Sequence, residues 1–144
     1  MKLDEIYQLW EQDSKIDRSE LAEESLKIPQ LHHKYYKIYT NEKLILNRLN
    51  YSLKELFRKK HEYYRGVLSQ EDLAEHGWEP QQMTILRQDL QIYLESDKDL
   101  DALQIKIDTQ KEKIDLLESI IKSLQTRGYQ IKSAIDFIKF QMGA

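Results

Sequence analysis

The sequence predicts an all-α protein: long helices with coiled-coil-like packing, in a helical bundle that associates with copies of itself. Three observations carry this. The 144 residues include four glycines and two prolines, and 33% of them are charged, a composition that favours long helices. Apolar residues recur three or four positions apart over most of the chain. No strand-like alternation and no hairpin turn appears.

The first element follows from Leu3, Ile6, Tyr7 and Trp10, whose spacing predicts a short amphipathic helix from Leu3 to about Asp13. "SKIDRSE" breaks it. Asp17 or Ser19 is a candidate cap for the next helix, with Glu20, Glu23 and Glu24 near its positive start. A long helical pattern then runs to Gly66 through Leu31, Tyr35, Ile38, Ile45, Leu49, Leu53, Leu56 and Tyr63. Pro29 lies inside it and predicts a kink or break near Lys27. Gly66 suits the left-handed position beyond a helix end.

From Val67 to Gln82 the periodicity fails, and with Gly77 and Pro80 in "EHGWEPQQ" the segment reads as a loop, Ser69 to Glu75 being a candidate for one helical turn. A third helix is expected over Met83 to Leu94, with Ser96 a candidate cap for the long helical pattern beyond it. The most regular pattern comes last. Leu100, Leu103, Ile107, Ile114, Leu117, Ile121 and Leu124 form a coiled-coil seam with Gln110 as its polar member. "TRGYQ" is expected to interrupt it at Gly128 before Ile131, Ile135, Ile138 and Met142 resume the register. A thin bundle cannot also cover Ile105, Leu116, Ile120, Phe137 and Phe140, which lie off the stripe, so a homo-oligomer is expected. The chain reads as one helical domain over 1–144: N-terminal helices to about residue 66, a loop over 67–82, and C-terminal oligomerisation helices over 83–144.

Composition also narrows the function. The absence of cysteine excludes a disulfide framework and thiolate metal sites. No apolar run approaches the ~18 residues of a membrane span, and the acidic start lacks the apolar core of a secretory signal. A soluble, cytoplasmic chain without cofactor or metal is the expectation. The net charge of −3 conceals a basic segment: from Leu31 to Gly66, nine Lys and Arg stand against three Asp and Glu.

That segment ends in "LFRKKHEYYRG", and here the sequence points to chemistry. Phosphates need cationic donors and unstacked bases need flat surfaces. Lys54, Arg58, Lys59, Lys60 and Arg65 are the candidate phosphate contacts, and Tyr63 and Tyr64 the candidate stacking surfaces, for single-stranded nucleic acid. Against this stands a purely structural reading. Cations in the last turns of a helix suit its dipole, and Tyr63 continues the apolar stripe toward the core. "HHKYYKIY" carries His32 and His33 on adjacent positions about 100° apart, which cannot share a metal, and Tyr35 there is expected in the core with Tyr36 and Tyr39 at its rim. Asp97 and Asp101 of "DKDLD" share a helical face, but carboxylates at a helix start are more often caps than Mg²⁺ ligands. The glycines are isolated, so no phosphate-cradling loop exists, and no enzymatic constellation stands out.

Three stretches together resemble the UvsY family, the recombination mediators of T-even-type phages. They are "RKKHEYYRG", "DKDLDALQIKID" and "IKSLQTRGYQIKSAI", taken in this order and spacing. Arg58, Lys60, Glu62, Tyr63, Tyr64 and Gly66 fall on the family's basic, DNA-contacting element. The resemblance implies an all-helical chain assembled into a ring, a hexamer or heptamer, without catalytic activity. It also implies binding of single-stranded DNA and loading of a RecA-like recombinase onto strands coated by single-strand-binding protein, in the host cytoplasm. An acidic helical scaffold or assembly-chaperone subunit that binds no nucleic acid is the alternative. It accounts for the seam and the acidity but not for the basic-aromatic cluster.

Phosphate-based binding carries a salt signature. Affinity for a homopolymeric single strand is expected to fall as salt rises, with log K against log salt sloping by about −0.7 per phosphate neutralised. Titrations at several salt concentrations check this, and a flat slope would deprive the basic cluster of its role.

Overall fold

The computed structural model describes residues 1–143. Among them all regular structure is helical: α1 (Leu3–Asp13), α2 (Leu21–Tyr64), α3 (Gln70–His76), a 3₁₀ turn (Arg87–Asp89), α4 (Leu90–Glu95) and α5 (Lys98–Gln141). The chain divides into two compact units, one of Met1–Ile45 with Gln110–Ala144 and one of Leu46–Thr109. The 44-residue helices α2 and α5 each contribute a segment to both.

The first unit packs α1, the N-terminal part of α2 and the C-terminal part of α5 around Ile6, Tyr35, Leu117, Ile120, Ile121 and Leu124. Each helix supplies residues at the expected period, so one stripe of each is removed from water. Tyr35 is fully buried; its hydroxyl donates to Asp13 Oδ2 at 2.7 Å, and Lys34 Nζ binds the same oxygen at 2.7 Å. Burial alone would raise the Asp13 pKa. Hydrogen bonds from Lys34 and Tyr35 outweigh it and hold that carboxyl below its ordinary value. The sequence pattern predicts that the off-stripe Leu116 and Ile120 are left uncovered. Instead Ile120 is buried and Leu116 packs against the same core. Ile105, Phe137 and Phe140 remain exposed.

Neither Pro29 nor Gly128 ends its helix. Helix α2 runs through Pro29 without a break, although an interior proline forfeits one hydrogen bond and costs about 3 kcal/mol. Fixed residues on either side hold the segment in place: Glu24 bonds to Arg127 upstream, and Leu31 and Tyr35 pack into the core downstream. Likewise α5 continues unbroken through Gly128. Arg127 is buried there and donates to the Asp13 carbonyl at 2.6 Å, the Lys15 carbonyl at 3.1 Å and Glu24 Oε2 at 3.2 Å. The seam's polar member is paired too, with Gln110 Nε2 donating to Glu42 Oε2 at 2.6 Å and to the Glu42 carbonyl at 2.8 Å.

In the second unit, the C-terminal part of α2 is followed by α3, the 3₁₀ turn, α4 and the start of α5. Ser69 caps α3 by accepting from the Asp72 amide at 3.2 Å, and Gly77 ends it in the left-handed region at φ +68°. The helix expected over Met83 to Leu94 is shorter than the pattern predicts. Residues 83–86 are irregular, and only Arg87 to Glu95 turn helically. Asp97, not Ser96, caps α5: its Oδ1 accepts from the amides of Asp99 and Leu100, both at 2.9 Å. At the start of α2, neither Asp17 nor Ser19 is the cap. Asp17 instead closes a local turn by accepting from the Ser19 amide at 3.0 Å.

Gly128 offers a stability test. It lies mid-helix, and an added Cβ would meet only Ile28 Cδ1 at 3.9 Å, an ordinary contact. Gly128→Ala is therefore expected to stabilise the chain by about 0.5–1 kcal/mol. Leu117→Ala, in the fully buried core, is expected to destabilise it by about 2–5 kcal/mol. Denaturant titration followed by circular dichroism measures both.

Candidate nucleic-acid interface

The basic cluster occupies the last turns of α2, inside the second unit. The helix stops in a Schellman motif: Gly66 at φ +73° donates to the Tyr63 carbonyl at 3.0 Å, and Val67 donates to the Glu62 carbonyl at 3.2 Å. This places Arg65 just beyond the helix end, exposed.

The five cations of the cluster stand in different environments. Lys54 is exposed, with Nζ 5.8 Å from the centre of the Tyr51 ring. The Arg58 side chain is 63% exposed and only loosely paired with Glu62 at 3.9 Å, a contact worth little in water. Lys59 is half-buried. Lys60 is 4% exposed and fully engaged. Its Nζ lies 2.8 Å from Asp99 Oδ2, 3.1 Å from Asp97 Oδ2, and 4.0 Å from the centre of the Trp78 ring. In this arrangement its charge is already neutralised inside the protein.

Both tyrosines face inward as well. The Tyr63 hydroxyl donates to the Glu79 carbonyl at 2.7 Å and the Tyr64 hydroxyl to Asp97 Oδ2 at 2.5 Å. Their rings meet edge-on with centroids 5.2 Å apart; Tyr63 also meets Trp78 at 5.3 Å, and Tyr64 meets Tyr93 at 5.7 Å. The faces and hydroxyls of the pair are largely occupied by neighbours.

Asp97 is the node of the cluster. One oxygen caps α5 and the other receives Tyr64 and Lys60. Burial alone would raise its pKa; the hydrogen bonds from Tyr64, the Leu100 amide and Lys60 prevail and hold the carboxyl below its ordinary value. Burial and the hydrogen bond to Asp97 push the Tyr64 phenol above its own ordinary range. Sequence reading finds the cations but not these supports. "DKDLD" reads as an ordinary acidic helix start and Trp78 as a loop residue, and nothing local to Lys60 names a partner 37 positions on. Among the described residues, no three His, Asp or Glu side chains group as a metal site, and no helix is long and apolar enough to cross a membrane.

Comparison with solved structures finds the same all-helical fold in a class of recombination mediators. Crystal structures of the bacteriophage T4 recombination mediator protein UvsY superpose with a TM-score of 0.84 at 19% identity. In lattice type IV the match covers 97% of this chain and 99% of that one; in lattice type II it covers 99% and 98%. A third, lattice type I, has a TM-score of 0.82 at 18% identity, over 95% and 98%. No curated protein matches in sequence. The family model described as "Recombination, repair and ssDNA binding protein UvsY" matches residues 9–144, and the chain belongs to that family.

Removing the buried cation tests the cluster. Lys60→Met leaves Asp97 without its counter-charge and is expected to destabilise the second unit by about 3–5 kcal/mol. In a Trp10→Phe background Trp78 alone reports, and its emission is expected to shift to the red in the variant. Acid acts in the same direction. The folded pKa of Asp97 is depressed, so its contribution is present above the ordinary aspartate value of ~3.9 and is lost as pH falls through the lowered value. The Trp78 emission of the Lys60-containing protein is expected to shift only in that acid range. An Asp97→Asn variant that keeps the acid phase, or one with unchanged stability, would contradict the assignment.

Proposed function

We propose that this chain is a single-stranded-DNA-binding recombination mediator. It loads a RecA-like recombinase onto strands coated by single-strand-binding protein, in phage recombination and repair within the host cytoplasm. The family match over residues 9–144 carries this reading. The exposed cations Lys54, Arg58 and Arg65, with the half-buried Lys59, support it physically, since each can meet a phosphate without leaving an internal partner. Lys60 is better placed as a positioning residue that holds the helix end carrying them. Tyr63 and Tyr64 are assigned to the same supporting wall. No catalytic step, metal or cofactor is part of the proposal.

A ring-shaped homo-oligomer, a hexamer or heptamer as in the family, completes the mechanism. The C-terminal part of α5 exposes Tyr129, Phe137, Ile138 and Phe140, and Met142 just beyond it is exposed as well, apolar surface of the kind that marks an interface. One subunit offers few phosphate contacts. Copies on a ring make each later contact intramolecular, which raises avidity by ~10²–10⁴ where the strand reaches them. Bending the strand along the ring would weaken its existing protein coat and present it to the recombinase.

The proposal separates charge removal from disruption of the support. Replacing Lys54, Arg58 and Arg65 together by Ala is expected to weaken binding to a poly(dT) oligonucleotide strongly. It should also flatten the salt slope by about 2, at about 0.7 for each phosphate that is no longer neutralised. Lys60→Met is expected to leave the slope near that of the unmodified protein even where it weakens binding. A triple variant with unaltered affinity and slope, measured by fluorescence anisotropy, would remove the cluster from the interface.

A further inference from the structure

The two sides of the basic helix end differ in charge. On one side, Arg58 and Lys59 border a cavity that also contains Glu55 and Glu75. On the other, a cavity of about 840 Å³ is lined by Phe57, His61 and Arg65 of α2 and its C-terminal extension, facing Arg87, Gln91 and Leu94 of the 3₁₀ turn and α4. Among the described residues no Asp or Glu lines it. Its volume falls in the ~300–1,000 Å³ of small-ligand sites. Phe57 is 45% exposed, and Arg65 and Arg87 are exposed as well; Gln91 is exposed too, but its Nε2 donates to Glu95 Oε1 at 2.9 Å. A second cavity of about 520 Å³ shares Phe57, Gln91 and Leu94 and extends toward Lys54, with Glu95 and Asp101 also on its wall, so the Phe57 ring stands between two spaces.

We infer that this groove seats nucleotides of the bound single strand. Phe57 serves as the stacking face, and Arg65 and Arg87 as phosphate contacts. The inference rests on the proposed single-stranded-DNA function and adds to it a path along one face of α2. Residues 54, 57, 61 and 65 are spaced three and four apart, so Lys54, Phe57, His61 and Arg65 form one stripe. Cations alternate with an aromatic ring along it; no carboxylate lines the cavity between Arg65 and Arg87, and those of the second cavity, Glu95 and Asp101, lie toward its Lys54 end. A single strand supplies the matching pair of features, a regularly spaced anion and a flat unstacked base. The paired tyrosines of the cluster serve poorly as a platform, because each already meets other rings and donates its hydroxyl internally.

Anisotropy titration of a labelled dT oligonucleotide tests the groove with two variants outside the basic cluster. Phe57→Leu keeps apolar bulk but removes the ring. It is expected to weaken binding by about 5- to 150-fold, as loss of a base stack does, with little change in salt slope. Arg87→Ala is expected to weaken binding and to flatten the slope by about 0.7. Helicity and sedimentation should be unchanged in both, since both side chains are exposed. As a measurement independent of any variant, an oligonucleotide carrying 5-iodouracil is expected to cross-link to the unmodified protein at Phe57 or within residues 85–94. Cross-links confined to the Arg58, Lys59 and His76 side would overturn the groove. So would wild-type affinity in both variants while the Lys54, Arg58 and Arg65 triple variant is weakened, a result that leaves the single-stranded-DNA function standing. A protein with no salt-dependent affinity for the oligonucleotide would end both. Free thymidine monophosphate competing as well as the oligonucleotide would make this a mononucleotide site and overturn the strand path.

Discussion

Asp97 meets two demands with one carboxylate, and the second unit depends on it. Its Oδ1 satisfies two amides at the start of a 44-residue helix that would otherwise lack partners. Its Oδ2 neutralises a buried lysine near the end of α2 and accepts a tyrosine hydroxyl from the same turn. Either oxygen alone would leave a buried group without compensation, which is the costly half of any internal ion pair. Because the capping and the ion pair share one side chain, the start of α5 and the end of α2 are set in a single geometry. Trp78 closes over Lys60 at 4.0 Å and ties the connecting segment to the same point.

The first unit solves a related problem. Apolar periodicity alone brings α1, α2 and α5 together but tolerates sliding by a helical turn. Buried polar groups do not. Gln110 in the seam must find Glu42, and Arg127 must find the carbonyls of Asp13 and Lys15 together with Glu24. A slip of one turn would strand each of them in an apolar environment. A polar residue inside a coiled-coil seam fixes register in this way, with some loss of stability. Arg127 accepts part of that loss, since its Nε has no partner.

These same groups mark where the sequence was legible and where it was not. Local signals read correctly: the bounds of α1, the left-handed Gly66, and the seam from Leu100 to Leu124 all depend on neighbours within a few residues. The errors arose where a distant partner overruled a local preference. Gly128 is a poor helix residue, yet the bonds of Arg127 to Asp13, Lys15 and Glu24 hold α5 through it. The helix expected from Met83 begins only at Arg87. The site divides along the same line. Composition located the cationic helix end, but a lysine bound internally and one free for phosphate have the same sequence signature. Only the acidic pair at Asp97 and Asp99 distinguishes Lys60 from Lys54.

The burial of Lys60 also bears on how an acidic chain could hold a polyanion. With one cation neutralised internally, the exposed charge at the end of α2 comes to a few groups, and each phosphate contact adds only a modest salt-sensitive increment. A single copy would then bind a strand weakly and release it readily, which suits a protein that must hand DNA to another. In the proposed oligomer the same few cations recur on every subunit, and strength comes from repetition rather than from charge density. Weak sites in multiple copies can also be displaced one at a time, so an advancing partner never has to break the whole contact at once. The net charge of −3 fits that logic, because an overall acidic surface disfavours polyanions away from the repeated patch.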